Sequence, residues 1–296
     1  MNDRTAPPQN HVSVDAPIAD MLLADCDLAQ DRVVEAGWNQ VPADWETFLA
    51  LGRAFKVQAA GGSLAATAAT LPYAGGFGWI SMVLVAAAMQ RQGIATRLLA
   101  HCIECLRSQG LVSVLDATPA GREVYRHLGF ADGWAISRWY RGASSVASAT
   151  GRVPGVRTAL CSDVARIAEL DAVAFGSVRP ALLERLLLRS GHFACIADAS
   201  AGPRGFLLGR EGRVATQFGP LIAHDETSAV ALLDHALLRA PGPIIIDAPD
   251  RHKTLAQALS ARGFSVQRPY TRMTLDRPAP FGEESLTMAI AGPELG

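Results

Sequence analysis

The apolar positions between Phe77 and Gln109 change period once, and the change divides the stretch into two elements. From Phe77 to Val85 apolar residues run almost unbroken, as in an extended strand. From Ile94 onward they recur at three- and four-residue spacing: Ile94, Ala95, Leu98, Leu99, Cys102, Ile103 and Leu106 make one stripe, which predicts an amphipathic helix stopped by Gly110. The short loop 86–93 lies between them. A strand, a Gly-containing loop and a helix start, in that order, build an anion site. Amides at a helix N-terminus have no intrahelical acceptor and carry the positive end of the helix dipole.

The same reading extends in both directions. A first strand is expected near Val12–Val14, followed by acidic and apolar residues in helical alternation up to Ala36, where Gly37 stops them. A helix at 44–50 carries Trp45 and Phe48; with Trp38 these are either core residues or part of a substrate wall. Arg53–Ala60 and Ser63–Leu71 read as a hairpin across Gly61-Gly62, where positive φ is needed. After the central helix come a short strand, Val112–Asp116, a helix from Pro119 to Leu128 capped by Thr118, and a strand over Trp134–Tyr140. Residues 142–155 are rich in Gly, Ala, Ser and Thr and read as a linker.

Beyond the linker the pattern restarts: a strand at Val156–Leu160, two helices, strands at His192–Ala197, Gly205–Gly209 and Val214–Ile222, a helix near Thr227–Arg239, a strand at Ile244–Asp247, a helix to Ala261 and a strand from Phe264 to Leu275. The halves also echo each other locally. Leu115-Asp116-Ala117 precedes Gly129-Phe130, as Ile246-Asp247-Ala248 precedes Gly263-Phe264.

Composition narrows the function classes. The 296 residues suffice for about two domains with cores of their own, and 49% hydrophobic with 19% charged residues describes a packed globular chain. A net charge of −1 leaves no basic footprint for nucleic acid and no polybasic segment for a membrane surface. No long uninterrupted apolar run and no apolar N-terminal segment is present, so the expected location is cytoplasmic. The five cysteines are odd in number and scattered. Cys102 and Cys105 have C-x-x-C spacing, but Cys102 sits on the apolar stripe and no further ligands accompany the pair, so no metal is expected.

The loop Gln90-Arg91-Gln92-Gly93-Ile94-Ala95 resembles motif A of the GNAT acyltransferases, Gln/Arg-x-x-Gly-x-Gly/Ala after the fourth strand. Val124-Tyr125-Arg126-His127-Leu128-Gly129-Phe130 is similar to the family's other signature, a helix with Tyr four residues before a terminal Gly-Phe. The order of elements in both halves resembles the family as well. The resemblance implies an α/β (α+β) protein of two GNAT folds, each a mixed, mostly antiparallel sheet flanked by helices. Its units would be a disordered lead (1–11), a catalytic domain (12–141), the linker (142–155), a degenerate GNAT-like domain (156–277) and a flexible tail (278–296).

The resemblance also implies a site. Acetyl-CoA would lie between the strands 77–85 and 112–116, with its pantetheine arm along the backbone of Val83, Leu84 and Val85. Its pyrophosphate would sit on Gln90, Arg91, Gln92, Gly93, Ile94, Ala95 and Thr96. Thr118 stands where many relatives have an Asn that contacts the cofactor. Tyr125 matches the general acid that protonates the departing thiolate. The family's strand Glu has no counterpart in Trp79-Ile80-Ser81-Met82, so the base is either Asp116 or a water relayed by Ser81 or Tyr73.

The second half lacks these features. Its corresponding loop is Ala223-His224-Asp225-Glu226, whose acids oppose a pyrophosphate, and Leu259 replaces the Tyr. It is therefore expected to serve as a partner wall, a regulatory site or a homodimer contact. The acceptor expected is a small-molecule primary amine, with no nucleic acid and no membrane as partner. The alternative is a non-catalytic acyl-CoA-binding sensor.

Overall fold

The computed structural model describes residues 16–59, 61–143, 151–199, 202–240, 242–277 and 281–296. The expected lead at 1–11, the strand near Val12–Val14 and residues 144–150 of the linker lie outside them. The first half runs β1 (Ile18–Asp20), α1 (Cys26–Glu35), α2 (Pro42–Leu51), β2 (Arg53–Gln58), β3 (Leu64–Tyr73), β4 (Phe77–Val85), α3 (Ile94–Arg107), β5 (Val112–Ala117), α4 (Pro119–His127) and β6 (Ala131–Arg141). The second runs β7 (Val156–Thr158), α5 (Val164–Phe175), α6 (Pro180–Ser190), β8 (Cys195–Ala199), β9 (Gly202–Arg210), β10 (Thr216–Ala223), α7 (Glu226–Leu237), β11 (Ile244–Pro249), α8 (Lys253–Ala261), β12 (Ser265–Thr274) and β13 (Thr287–Ala289). No helix among the described residues is long and apolar enough to cross a membrane.

The local reasons are those the sequence pattern gives. The α3 stripe buries Ile94, Leu98, Leu99, Cys102, Ile103 and Leu106 against β3, β4 and β5. Pro119 starts α4, whose first turn is capped by the Thr118 hydroxyl accepting the Gly121 amide at 3.3 Å. Trp45 and Phe48 are fully buried, which resolves them as core; Trp38 instead reaches the cleft described below.

The strands join differently from what two separate folds require. They form one continuous sheet in the order β1-β2-β3-β4-β5-β12-β6-β11-β10-β9-β8-β7. The last long strand of each half has crossed to the other. β12 pairs antiparallel with β5 of the first half, and β6 pairs antiparallel with β11 of the second, while β6 and β12 pair with each other at the centre.

Two buried ion pairs pin the exchange. Arg272 on β12 donates to both oxygens of Asp116 on β5, at 2.9 and 3.0 Å, and Arg138 on β6 donates to both oxygens of Asp247 on β11, at 2.8 Å each. The sequence echo around Asp116 and Asp247 is thus a pair of matched acids, each holding an arginine of the opposite half.

The tail is a correction. Residues 281–296 are packed rather than loose. β13 adds antiparallel to β10, and Ala289, Ile290, Ala291 and Leu295 are buried. The segment is held by side chains of the first half: Tyr73 Oη donates to the Leu295 carbonyl at 2.7 Å and Trp79 Nε1 to the Pro293 carbonyl at 2.9 Å.

Candidate functional site

β4 and β5 are parallel neighbours only from Phe77–Val112 to Trp79–Val114; beyond Trp79 they diverge. A bulge in β4 begins there. Thr67 pairs with Leu84 but Ala69 with Ser81, so Met82 and Val83 share one partner position, and Met82 adopts φ +54° with its carbonyl accepting from the Thr67 hydroxyl at 2.9 Å. The divergence opens a cleft of about 510 Å³. Its walls are Ile80 to Val83 and Val85 of β4, Leu115, Asp116 and Thr118 at the end of β5, and Tyr125 of α4. Gln90, Arg91 and Ala95 close one end; Trp38, Gln40, Arg138, Arg268, Tyr270 and Glu294 line the other.

The loop end has the geometry of an anion cradle. Arg91 (φ +60°) and Gly93 (φ +80°) turn the chain into α3, and a Cβ built on Gly93 meets nothing within 4 Å, so the space above it is open. The first helical bond of α3 runs from the Arg97 amide to the Gly93 carbonyl, which leaves the amides of Ile94, Ala95 and Thr96 without intrahelical acceptors. The side chain of Ile94 is buried in the core, and Gln92 and Thr96 are exposed without lining the cleft. Leu84 likewise turns its side chain into the core.

Tyr125 lies over Gly121, and burial pushes its phenol up to about 12. It therefore keeps its proton at neutral pH. Thr118 combines its capping role with a place on the cleft wall.

The bases expected at this site fare differently. Asp116 is on the wall, but Arg272 engages both its oxygens and its side chain has no exposed surface. Burial pushes its carboxyl above the usual range, against the pull of Arg272. A carboxylate closed on both oxygens cannot accept a substrate proton without breaking the pair. Tyr73 is not in the cleft: its hydroxyl is spent on Leu295, and burial raises it to about 12. Ser81 does face the cleft, with a buried hydroxyl that has no hydrogen-bond partner among the described residues.

Glu294 reaches the cleft from the tail, beside β4, because its neighbour Pro293 is tied to Trp79. Arg210 engages its Oε1. No signal in the sequence singles out Glu294, since it lies 209 positions or more from every cleft residue of β4. Tyr270, Arg268 and Arg138 also come to the cleft through the strand exchange.

The counterpart region of the second half is occupied. β10 and β11 are parallel only through Phe218–Ile246; beyond that point β13 pairs with β10 at Leu221 and Ile222, and the Ile290 amide donates to the Asp247 carbonyl at 3.0 Å. The start of α7 is filled as well. Asp225 caps it through the Ser228 amide at 2.7 Å and is held below the usual carboxylate range by that bond and by Arg204, while Glu226 accepts the Leu255 amide at 2.6 Å.

A sheet whose two parallel strand pairs each diverge before a loop-and-helix unit defines an acyltransferase-type architecture built twice. The acetyltransferase (GNAT) family model matches residues 29–130 and the acetyltransferase (GNAT) domain model matches residues 167–286. The chain therefore belongs to the GNAT superfamily and carries two of its domains in tandem.

Among curated proteins, the uncharacterized N-acetyltransferase YitH of Bacillus subtilis (strain 168) is 25% identical over 186 residues, 62% of this chain; the match spans 65% of that protein's length. Among solved structures, a putative acetyltransferase from Pyrococcus horikoshii superposes with a TM-score of 0.78 at 21% identity, covering 97% of this chain and 98% of its own. A tandem GNAT protein from the clavulanic acid biosynthesis pathway gives 0.62 at 16% identity, covering 89% and 99%.

Proposed function

We propose that this chain is an acetyl-CoA-dependent N-acetyltransferase that transfers the acetyl group directly to the primary amine of a small molecule. The observation that carries the reading is the open β4–β5 divergence, with the α3 amides at one end and a protonated Tyr125 on its wall. Acetyl-CoA would lay its pyrophosphate on the amides of residues 91–96 and its pantetheine arm along the bulged edge of β4. Such binding puts the thioester near the middle of the cleft. The amine attacks the carbonyl carbon, the C–S bond breaks, and the CoA thiolate takes the proton of Tyr125.

The proton-acceptor role expected of Asp116 passes to Glu294. It is a carboxylate on the cleft wall, engaged by Arg210 through one oxygen, and it supplies the acid that β4 itself lacks. The Ser81 hydroxyl is suited to hold a relaying water.

Residues 12–141 form the catalytic unit in this reading, completed by β12 and the tail. The second half has no transfer site of its own, because β13 fills its strand gap and Asp225 caps its helix. Thiol release from acetyl-CoA is the test, measured with a panel of small amines on wild type and Tyr125→Phe. Amine-dependent release that falls ~100-fold in kcat in the variant, with acetyl-CoA affinity within about twofold, is expected. Tight acetyl-CoA binding with no release across the panel would favour the sensor instead.

A further inference from the structure

The arginines that line the far end of the cleft, Arg138 and Arg268, and those that lie behind it, Arg272 and Arg210, are unevenly paired. Arg272 is closed by both oxygens of Asp116 and Arg138 by both oxygens of Asp247. Glu294, the remaining acid, is bound by Arg210. Arg268 stands opposite Arg138 in the β6–β12 ladder and lines the same cleft, yet among the described residues no carboxylate is paired with it. Its Nε is buried with no hydrogen-bond partner among the described residues. Its guanidinium lies 5.4 Å from the Tyr270 ring centroid, and that of Arg138 lies 5.2 Å from the same centroid. Two cations thus share one aromatic ring, and only one of them has its counter-charge.

Arg272 and Arg138 are each closed by one carboxylate and Arg210 is shared between Asp44 and Glu294, while among the described residues the guanidinium of Arg268, on the cleft wall, is left without one. A guanidinium with a free Nε matches a carboxylate in shape, and one positive charge matches a monoanion better than a phosphate dianion. We infer that Arg268 anchors a carboxylate of the acceptor, so that the acceptor is a small primary amine that also carries a carboxylate: an amino acid or a close relative. The inference rests on the acetyltransferase reading above and names the substrate class of that site. Tyr270 holds the Arg268 fork against the wall, and Glu294 and Ser81 face the amine end.

The test is thiol release with matched compounds: amino acids, the corresponding amino acid amides, the decarboxylated amines, and O-phosphoethanolamine. It is run on wild type, Arg268→Gln and Arg268→Lys, with acetyl-CoA affinity measured separately by calorimetry. Turnover confined to carboxylate-bearing amines is expected. KM for them should rise at least tenfold in Arg268→Gln and less in Arg268→Lys, kcat should change little, and acetyl-CoA affinity should stay within twofold. Equal use of amides or decarboxylated amines, a preference for the phosphate compound, or an equal loss on every acceptor in Arg268→Gln overturns the assignment. So does tight acetyl-CoA binding with no turnover of any carboxylate-bearing amine, which leaves the cofactor site standing. Failure to bind acetyl-CoA at all removes the underlying acetyltransferase reading.

Discussion

Tyr125 and Glu294 divide the proton traffic of the proposed reaction, and they were unequally visible. Tyr125 sits four residues before Gly129-Phe130, so its place was legible through the resemblance of that stretch to the GNAT signature. Glu294 could not be, because only the fold brings residue 294 beside Trp79. With its pKa raised to about 12, Tyr125 remains an acid throughout the working range, and the pH–rate profile should show no descending limb from Tyr125 below pH 10. The sign for stability follows from the same shift. The contribution of the neutral phenol is fully present below pH 10, the ordinary tyrosine value, and is lost as pH climbs toward 12. Glu294→Gln should lower kcat/KM ~100-fold with acetyl-CoA affinity unchanged; an unaltered rate would return the base to solvent.

Asp116 belongs to stability instead. Asp116→Ala strands Arg272 between the Trp79 and Trp134 rings, 4.5 and 4.4 Å from their centroids, with no counter-charge. Chemical denaturation should show a loss of about 3–5 kcal/mol, and the double variant Asp116→Leu/Arg272→Met should recover much of it.

The starts of α3 and α7 show how one element can be kept or surrendered as an anion site. α3 has no acid in its first turn, enters through Gly93 at φ +80°, and exposes three amides to an open cleft. α7 spends its Ser228 amide on Asp225 and sets Glu226 at its first position. The contrast was legible from Gln-x-x-Gly-x-Ala against His-Asp-Glu, because it depends on adjacent residues alone. Gly93→Glu brings both a Cβ at positive φ and a negative charge to the site; acetyl-CoA affinity should fall at least about 100-fold by calorimetry, with the melting temperature only slightly lowered. Unaltered affinity would remove the loop from the cofactor site. β13 was invisible for the opposite reason. Three residues, Thr287–Ala289, are too few to show a period, and their partner β10 lies more than 60 positions away.

At the scale of the whole molecule, nearly every strand and helix was readable but the partners of β6 and β12 were not. Alternation along Trp134–Tyr140 announces a strand without saying which neighbour it will take, and the arginines that decide it are 109 and 156 positions from their acids. The halves are consequently interlocked. A protease site inserted within 142–155 and then cut should leave both fragments co-eluting at the intact mass with activity retained; separation without denaturant would mean that the exchanged strands contribute little.

The exchange also sets an order in time. A ribosome that has released residues 1–141 has released a sheet whose β5 edge is bare, a surface that invites pairing with other chains. The wall that β12 and the tail build does not exist until residues 265–296 have emerged. A cell making this protein therefore acquires the complete cleft all at once, only after residues 265–296 have emerged, and a ribosome that stalls in the second half leaves an aggregation-prone fragment rather than a half-active enzyme.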